Sequence, residues 1–405
     1  MKILLLNDYG TPTGGAELQM LSLRQGLRDR GHEVRLFSSR ARLVQDSALL
    51  SDYSCFGSTS RLQVFSQTFN LSAYFSLRRA LQEFQPDVVH VRMFMWQLSP
   101  LILPLLRTVP CLYQTAVYKA ICPMGTKVLP NGLACQSVAG MACLQSGCLT
   151  PQSWAVLMLQ RRLWLKWRSV FDLVVALSHA MKAQLAAEGI QPIEVVHNGV
   201  PWRSLRSDLS DPPTVTYAGR LVPEKGVDVL LRAIAILYAE LPTVRLLIAG
   251  QGPDETRLRQ LAQTLGIESQ IVWLGHVSRD CMEEKFESAW VQVVPSSWEE
   301  PFGNVTTEAM MRGTAVVASH VGAQPEIIAD GITGWLVPPG NVELLAQKLG
   351  HILSHQSTAE AMGQAGRQRA IHYFSEDRRT ERFLELYQQI RQRYVSSILS
   401  GRTEV

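Results

Sequence analysis

Short apolar runs alternate with longer stretches of helical periodicity along this chain, and the alternation occurs twice. Runs at 2–7, 33–38, 87–91, 109–113, 172–177 and 193–196 form the first series. A second begins at Val215 and continues through 244–249, 271–274, 291–295 and 315–319. Each run is too short for a helix and too uniformly apolar for a strand with one wet face. It therefore reads as a strand buried on both sides in a parallel sheet with helices over both faces. Between the series lies the polar stretch Arg203-Ser-Leu-Arg-Ser-Asp-Leu-Ser-Asp-Pro-Pro213, with the composition of a linker. We expect an α/β chain of two doubly wound domains, 1–203 and 204–374, with 375–405 as a terminal helix returning to the first. A length of 405 residues with 46% hydrophobic content is enough for two cores.

Composition removes several function classes. Net charge is +4 with no Lys/Arg block, so no nucleic-acid groove is expected. No stretch reaches the roughly 18 apolar residues of a membrane helix. Met1-Lys-Ile-Leu-Leu-Leu-Asn7 runs directly into a Gly-rich turn, which makes it a first strand rather than a signal peptide. The expected location is the cytoplasm.

The candidate chemistry sits where strands end. Glu300-Pro-Phe-Gly-Asn-Val-Thr-Thr-Glu308 follows the run 291–295 and opens a helix, so two carboxylates flank a Gly turn at a helix amino terminus. Free N–H groups there suit an anion, whereas ionised carboxylates accept hydrogen bonds from hydroxyls. The implied ligand is both anionic and polyhydroxylated. Thr214-Val-Thr-Tyr-Ala-Gly-Arg220 leads into Leu-Val-Pro-Glu-Lys225-Gly226 and places two cations at a second strand end. The run 244–249 empties into Gly250-Gln-Gly252-Pro253. Taken singly, each is also what a solvated loop or plain turn looks like; their convergence favours a site.

The first strand ends in Asn7-Asp-Tyr-Gly-Thr-Pro-Thr-Gly14-Gly15-Ala-Glu17. It lacks the Lys-Ser/Thr of a P-loop and the Gly-x-Gly-x-x-Gly spacing of dinucleotide enzymes, so neither an ATPase nor a simple NAD enzyme is supported. A tight turn and a close backbone approach to a ligand both account for Gly14 and Gly15.

In their order, these motifs resemble the retaining family-4 glycosyltransferases of the GT-B fold (glycosyl transferases group 1). The resemblance extends to Asp87-Val-Val-His90, His197-Asn-Gly-Val200 and Gly331-Ile-Thr-Gly-Trp-Leu-Val-Pro-Pro339, and covers nearly the whole chain. It implies two Rossmann-like domains facing across a cleft. The implied activity is retaining, metal-independent transfer of a hexosyl unit from a nucleoside-diphosphate sugar to a saccharide or lipid-linked acceptor, in cell-envelope polysaccharide or glycolipid synthesis. No cofactor is implied beyond the nucleotide sugar as co-substrate. Carried over position by position, Arg220 and Lys225 would stabilise the departing phosphate and Glu300 would orient the transferred sugar. Glu308 would hold the ribose. Gly14, Gly15, Gly219, Gly252, Pro253, Phe302, Gly303, Asn304 and Val305 would complete the donor pocket, with His90, Arg92 and Tyr118 on the acceptor side.

Two departures stand out. Relatives often carry a His shortly before the cysteine matching Cys122, where this chain has Ala116-Val117; a second His is frequent after His90, where Arg92 stands. An altered acceptor is the first consequence. A nucleotide-sugar epimerase and a catalytically degenerate sugar-nucleotide-binding protein remain as alternatives. His90 and His197 are also what strand-end histidines satisfied by backbone groups look like.

Three segments carry open readings. Cys122, Cys135, Cys143 and Cys148 cluster in an insertion at about 116–150, as zinc ligands without the usual Cys-x-x-Cys knuckles or as plain thiols. Trp154 to Arg168 mixes aromatics with Arg161, Arg162, Lys166 and Arg168, as a membrane-surface helix or as a helix packed on the sheet with a basic outer face. On the first reading the protein would sit peripherally on the cytoplasmic membrane face. Residues 40–75, Ser-rich and weakly periodic, read as a mobile acceptor loop.

Overall fold

A computed structural model describes residues 1–399 other than 43, 45, 61, 62, 279 and 280. The last part of the expected terminal segment, 400–405, lies outside the described residues. The chain divides into two compact units. The first takes in most of the chain up to Gly199 and the helix that starts at Glu376; the second runs from Val200 to Ser375, with the short piece Asn131–Ala134 assigned to it.

The first unit holds seven parallel strands: β1 (Lys2–Tyr9), β2 (Glu33–Ser39), β3 (Tyr53–Cys55), β4 (Val88–Val91), β5 (Cys111–Gln114), β6 (Leu173–Ala176) and β7 (Ile193–Val195). They lie in the order β3-β2-β1-β4-β5-β6-β7. The second unit holds β8 (Thr214–Ala218), β9 (Arg245–Ala249), β10 (Ile271–Gly275), β11 (Ala289–Val294), β12 (Ala315–Ser319) and β13 (Gly334–Val337), in the order β10-β9-β8-β11-β12-β13. The central strands β1, β4, β5, β6, β11 and β12 are buried almost throughout, as their unbroken apolar runs require. In each sheet the winding reverses beside the first strand, between β1 and β4 and between β8 and β11. That reversal opens a crevice outside the carboxyl ends of the two strands.

Two segments differ from the sequence reading, and the helix that was open to two readings takes the one packed on its own unit. The segment read as a loop at 40–75 contains β3 and the helices Gln63–Ser66 and Leu71–Phe84; positions 43, 45, 61 and 62 of it lie outside the described residues. β3 is an edge strand of three residues, too short to show a period. The stretch read as a linker has no regular structure but is fastened to the second unit: the Arg206 amide donates to Arg312 O (2.9 Å) and its Nε to Gly313 O (3.0 Å), while Leu209 is buried. Helix Pro151–Trp167 packs inward through Leu157, Gln160 and Trp164. Trp164 sits in an aromatic cluster with Phe94, Tyr113 and Phe171, and Trp154 Nε1 donates to Gly140 O at 2.9 Å.

Helix Glu376–Leu399 belongs to the first unit. Phe383, Leu386, Tyr387 and Ile390 recur at helical spacing and enter one core with Ile3, Leu5, Met20, Leu23, Val88 and Leu112. Burying each stabilises the unit by roughly 1.5–3 kcal/mol. Arg379 anchors the start of this helix, donating to the Gln19 side chain, to Gln19 O (3.1 Å) and to Ser22 Oγ (2.9 Å). Tyr387 OH meets His90 Nδ1 at 2.7 Å, and Gln114 Oε1 lies 3.2 Å from Nε2. His90 has no exposed surface, and burial, reinforced by the Arg92 charge, lowers its pKa to about 3.

At the second unit's strand ends the turns are in direct contact. Gly250 has φ 154°, and a Cβ there would lie 1.8 Å from Gly219 O. The Gly219 amide donates to Ala249 O (3.0 Å) and the Leu221 amide to Gln251 O (3.0 Å), tying the turn after β8 to the turn after β9.

Two outcomes follow. Gly250→Ala should cost about 2 kcal/mol or more, since strain and collision act together; an unchanged denaturation midpoint would contradict this. Because His90 is held neutral when folded, the unfolded chain takes up a proton that the native unit refuses between its ordinary value of 6.5 and about 3. Stability should therefore fall as pH drops through that window, by at most about 1.4 kcal/mol per unit. Melting curves of wild type and His90→Asn should diverge on acidification, and parallel curves would remove His90 as the cause.

Candidate functional site

The second unit's crevice is built from the ends of β8 and β11. After β8 the chain passes Gly219 and Arg220, makes a single turn at Pro223–Lys225, and enters helix Val227–Glu240 through Gly226. Gly226 has φ 66°, and a Cβ on it would stand 2.1 Å from Pro295 O, so only glycine lets this turn close on the end of β11. Tyr217 OH donates to Arg220 O at 2.9 Å and holds the turn from beneath.

That closure brings Lys225 to Glu300. Lys225 Nζ lies 2.7 Å from Glu300 Oε1, which also accepts from Ser296 Oγ at 2.6 Å. Both partners are largely buried, with side chains 15% and 9% exposed, and Nζ stands 5.2 Å from the Trp298 ring centroid. Burial pushes the Glu300 carboxyl up, but the Lys225 charge and hydrogen bond, the Ser296 hydroxyl and the Arg220 charge together outweigh it. The net pKa is below the ordinary value. Glu300 is thus a fixed anion. Both hydrogen bonds converge on Oε1, which leaves Oε2 with acceptor capacity for a ligand hydroxyl. Arg220 is different: its side chain is 63% exposed and reaches Glu224 only at 3.7 Å. Such a guanidinium is free to swing onto an anion.

The helix Asn304–Met311 starts beside this pair. Its cap is Gly303, with φ 116° and no side-chain hydrogen bond to the first turn. A Cβ at Gly303 would meet Gln324 Nε2 at 2.5 Å. Phe302 is buried against Phe374, ring centroids 5.9 Å apart, so its side chain anchors the turn and only its backbone is available to a ligand. Val305 O accepts from Gln292 Nε2 at 2.8 Å. Glu308 is half-buried one helical turn further on and acts electrostatically on Arg312. The structure therefore gathers Arg220 and Lys225 from the end of β8 with Glu300 and the turn Phe302–Val305 from the end of β11, with Glu308 on the helix that follows.

Gly252 and Pro253 have a more local explanation. A Cβ on Gly252 would lie 2.1 Å from Leu221 O, and the Asp254 amide donates to that same carbonyl at 3.1 Å. Contact between the two turns alone demands glycine there. Ser296, Gln324 and Gly322 escaped the sequence reading. Gln324 Oε1 accepts from Thr306 Oγ1 at 2.8 Å, and Gly322 (φ 58°) packs on the Glu300 amide, 2.7 Å from where its Cβ would be. The signal was present: Val321-Gly-Ala-Gln-Pro follows the strand run 315–319 as another strand-to-helix glycine turn.

In the first unit, Gly14 precedes helix Gly15–Asp29 in extended backbone. Its smallness serves Glu17, whose Oε2 would lie 2.2 Å from a Cβ at Gly14. Glu17 is buried, and burial raises its pKa. Asp8, at the end of β1, accepts from the amides of Trp96 (2.9 Å), Gln97 (2.7 Å) and Leu98 (2.9 Å); burial outweighs these and lifts it to about 6. Asp8 tethers the loop after β4, a function that no spacing in the sequence announced.

The three acceptor-side residues all lie inside the unit. His90 has both ring nitrogens engaged, as described above, so it supports the core instead of meeting a ligand. Arg92 donates to Gln114 Oε1 (2.6 Å) and Asn198 Oδ1 (3.2 Å), and burial, with the Arg379 charge nearby, lowers it to about 9. Tyr118 is 1% exposed. Ala116 and Val117 are partly exposed at the end of β5. Next to them Lys119, another residue the sequence did not single out, is buried over the Trp96 ring at 3.9 Å. Cys122, Cys135, Cys143 and Cys148 are free thiols lining one small pocket. Among the described residues no three His, Cys, Asp or Glu side chains are gathered to hold a metal ion.

Comparison with known proteins agrees with this arrangement. Residues 13–201 match the model of Glycosyltransferase Family 4 and residues 206–369 that of Glycosyl transferases group 1. The chain is 35% identical over 223 residues to a D-inositol 3-phosphate glycosyltransferase of Mycolicibacterium paratuberculosis, covering 50% of this chain and 49% of that protein. It is 33% identical over 187 residues to a GDP-mannose-dependent alpha-(1-6)-phosphatidylinositol monomannoside mannosyltransferase of Mycolicibacterium smegmatis, covering 45% and 49%. The chain thus spans about half the length of the curated relatives it matches. Anabaena HepE, solved with UDP and glucose, superimposes with a TM-score of 0.68 at 19% identity over 96% of this chain and 100% of that one. Two Rossmann-like parallel sheets, the strand-end motifs and the two family models, one for each half, lead to one conclusion: the chain belongs to the family-4, group 1 glycosyltransferases and has their GT-B fold.

Proposed function

We propose that this protein transfers a hexosyl unit from a nucleoside-diphosphate sugar to a saccharide or lipid-linked acceptor, with retention of configuration and without a metal. The observation that carries this reading is the Lys225–Glu300 pair at the β8/β11 crevice, next to a helix amino terminus with no side-chain cap. One end of such a site suits phosphate and the other suits hydroxyls.

Chemically, breaking the bond between the sugar and the diphosphate leaves an electron pair on the phosphate oxygen. Groups that meet this growing charge stabilise the transition state more than the ground state. Lys225 has three N–H donors and gives one to Glu300, so the others remain for phosphate. Arg220 is exposed enough to swing in as the charge develops. Glu300 Oε2 would accept from a sugar hydroxyl and Glu308 from the ribose. The relative solved with UDP and glucose supports a nucleotide-sugar donor. The relative acting on a phosphatidylinositol monomannoside supports a lipid-linked acceptor, and with it a place at the cytoplasmic membrane face in glycolipid or polysaccharide synthesis.

Thermal-shift measurements against UDP, GDP, ADP and CMP, followed by turnover with sugar forms of the nucleotide that binds, test the reading. One nucleoside diphosphate should stabilise the protein, and Glu308→Ala should weaken that stabilisation by about tenfold in affinity. Stabilisation by none of them would sink the proposal. Lys225→Ala should lower turnover by about 10²–10³ while the melting profile stays cooperative. In Glu300→Gln the Lys225 charge loses its partner, so turnover should fall while nucleotide binding persists; an unchanged rate would remove the pair from the mechanism. Product that is an epimerised donor, without any transferred sugar, would favour the epimerase alternative.

A further inference from the structure

A polar groove opens in the second unit at the other end of β11 and β12 from the crevice. Glu283 and Glu287 line it from the segment before β11, Arg312 from the residues just before β12, and Ser204, Arg206 and Ser207 from the stretch fastened alongside. Because β11 and β12 are parallel neighbours, their amino ends lie together, opposite the carboxyl end that leads to Glu300. The groove has a volume of about 220 Å³, far above the ~15 Å³ that one water needs.

Its floor is a buried cation with donors to spare. Arg312 is 5% exposed, and burial, with the Arg203 charge adding to it, lowers its pKa. Of its five N–H donors Nη2 is committed, to Gln292 Oε1 at 2.9 Å, whereas Nε is buried without a partner. Among the described residues no carboxylate forms an ion pair with it; Glu308 and Glu283 act on it only through their charge. A guanidinium left in this state costs stability until something brings it acceptors. It is also held in place, since Gln292 Nε2 donates in turn to Val305 O at 2.8 Å. Arg206 beside it is bound by carbonyls alone, Nε to Gly313 O (3.0 Å) and Nη1 to Ser207 O (2.8 Å).

The rim has the opposite chemistry. Arg203 pairs with Glu283 at 3.2 Å and Lys285 with Glu284 at 3.5 Å, which leaves Arg206 and Arg312 facing Glu287, itself an acceptor for the Ser207 hydroxyl. Carboxylates accept only, so a ligand must bring donors to this rim, and with the charge of two of them countered, hydroxyls suit it better than an ammonium.

We propose that the groove binds a monosaccharide bearing an oxyanion, such as a uronate or a sugar phosphate, with the anion on Arg312 and the hydroxyls on Glu283, Glu287 and Ser204. The anion brings the guanidinium the acceptors it lacks, and the groove is larger than a bare oxyanion fills. This site is separate from the crevice and does not rest on the transferase reading.

Calorimetric titration of the full chain with glucuronate, glucose 6-phosphate, glucose and inorganic phosphate tests it, with no nucleotide present. At least one of the two acidic sugars should bind about tenfold more tightly than glucose, which carries no anion for Arg312, and more tightly than phosphate, which carries no hydroxyls for the rim. Arg312→Gln should erase the preference for the acidic sugar over glucose. Ser207→Ala/Glu287→Gln, on the exposed rim, should weaken binding about fivefold while melting like wild type; where Arg312→Gln fails to fold, this variant decides. Lys225→Ala, at the crevice, should leave the affinity unchanged. Binding of neither acidic sugar, wild-type affinity in a folded groove variant, or phosphate binding as tight as that of the sugar phosphate would overturn the proposal. So would loss of binding in Lys225→Ala, which would put the sugar in the crevice.

Discussion

Parallel strands cannot be joined by tight turns, and most of what matters in this protein follows from that constraint. Each strand must be followed by a crossover, so each strand ends in a turn that feeds a helix. Winding in both directions from β1 and from β8 then leaves one reversal per sheet, and the turns at that reversal have no crossover above them. Lys225 and Glu300 lie 75 positions apart in sequence, yet they meet at 2.7 Å because β8 and β11 are neighbours across the reversal. The crevice is a product of topology before it is a product of side chains.

A buried ion pair is a poor way to stabilise a fold, because desolvating two charges offsets most of their attraction. Its presence at a strand end therefore points to use. Glu300 holds Lys225 in place, Ser296 shares the load, and the pair keeps a cation and an anion in fixed positions with little water around them. Preorganised charge of this kind costs no rearrangement when a reaction develops charge beside it. Arg220 contrasts with it: its side chain is exposed and held only loosely by Glu224.

The legibility of the sequence was uneven in an instructive way. Cations, carboxylates and glycines at strand ends could be found because strand runs are short and apolar and the turns after them are not. Their individual reasons could not be read so directly. Gly250 and Gly252 had the look of a ligand cradle, and the contacts show that neighbouring turns demand them. His90 and Arg92 sat in sequence where acceptor-side groups were expected, and both are sealed inside the unit by Tyr387, Gln114 and Asn198. Burial of a polar strand-end residue depends on a helix that begins almost 300 positions later, and no local pattern encodes it. The segment 40–75 was misread because β3 is three residues long and its helices expose phenylalanines, which blurs the period that amphipathic helices normally show.

The sequence by itself determined the fold class, the two-unit division and the strand ends at which chemistry could gather, since these rest on local hydrophobic period and on glycine's backbone freedom. Tertiary structure alone decided which of those residues touch. Pairing of β8 with β11 fixed the Lys225–Glu300 contact, and docking of helix Glu376–Leu399 took His90 out of reach. Contacts of this kind join residues that are distant along the chain, so their geometry exists only once both partners have been placed by the sheets.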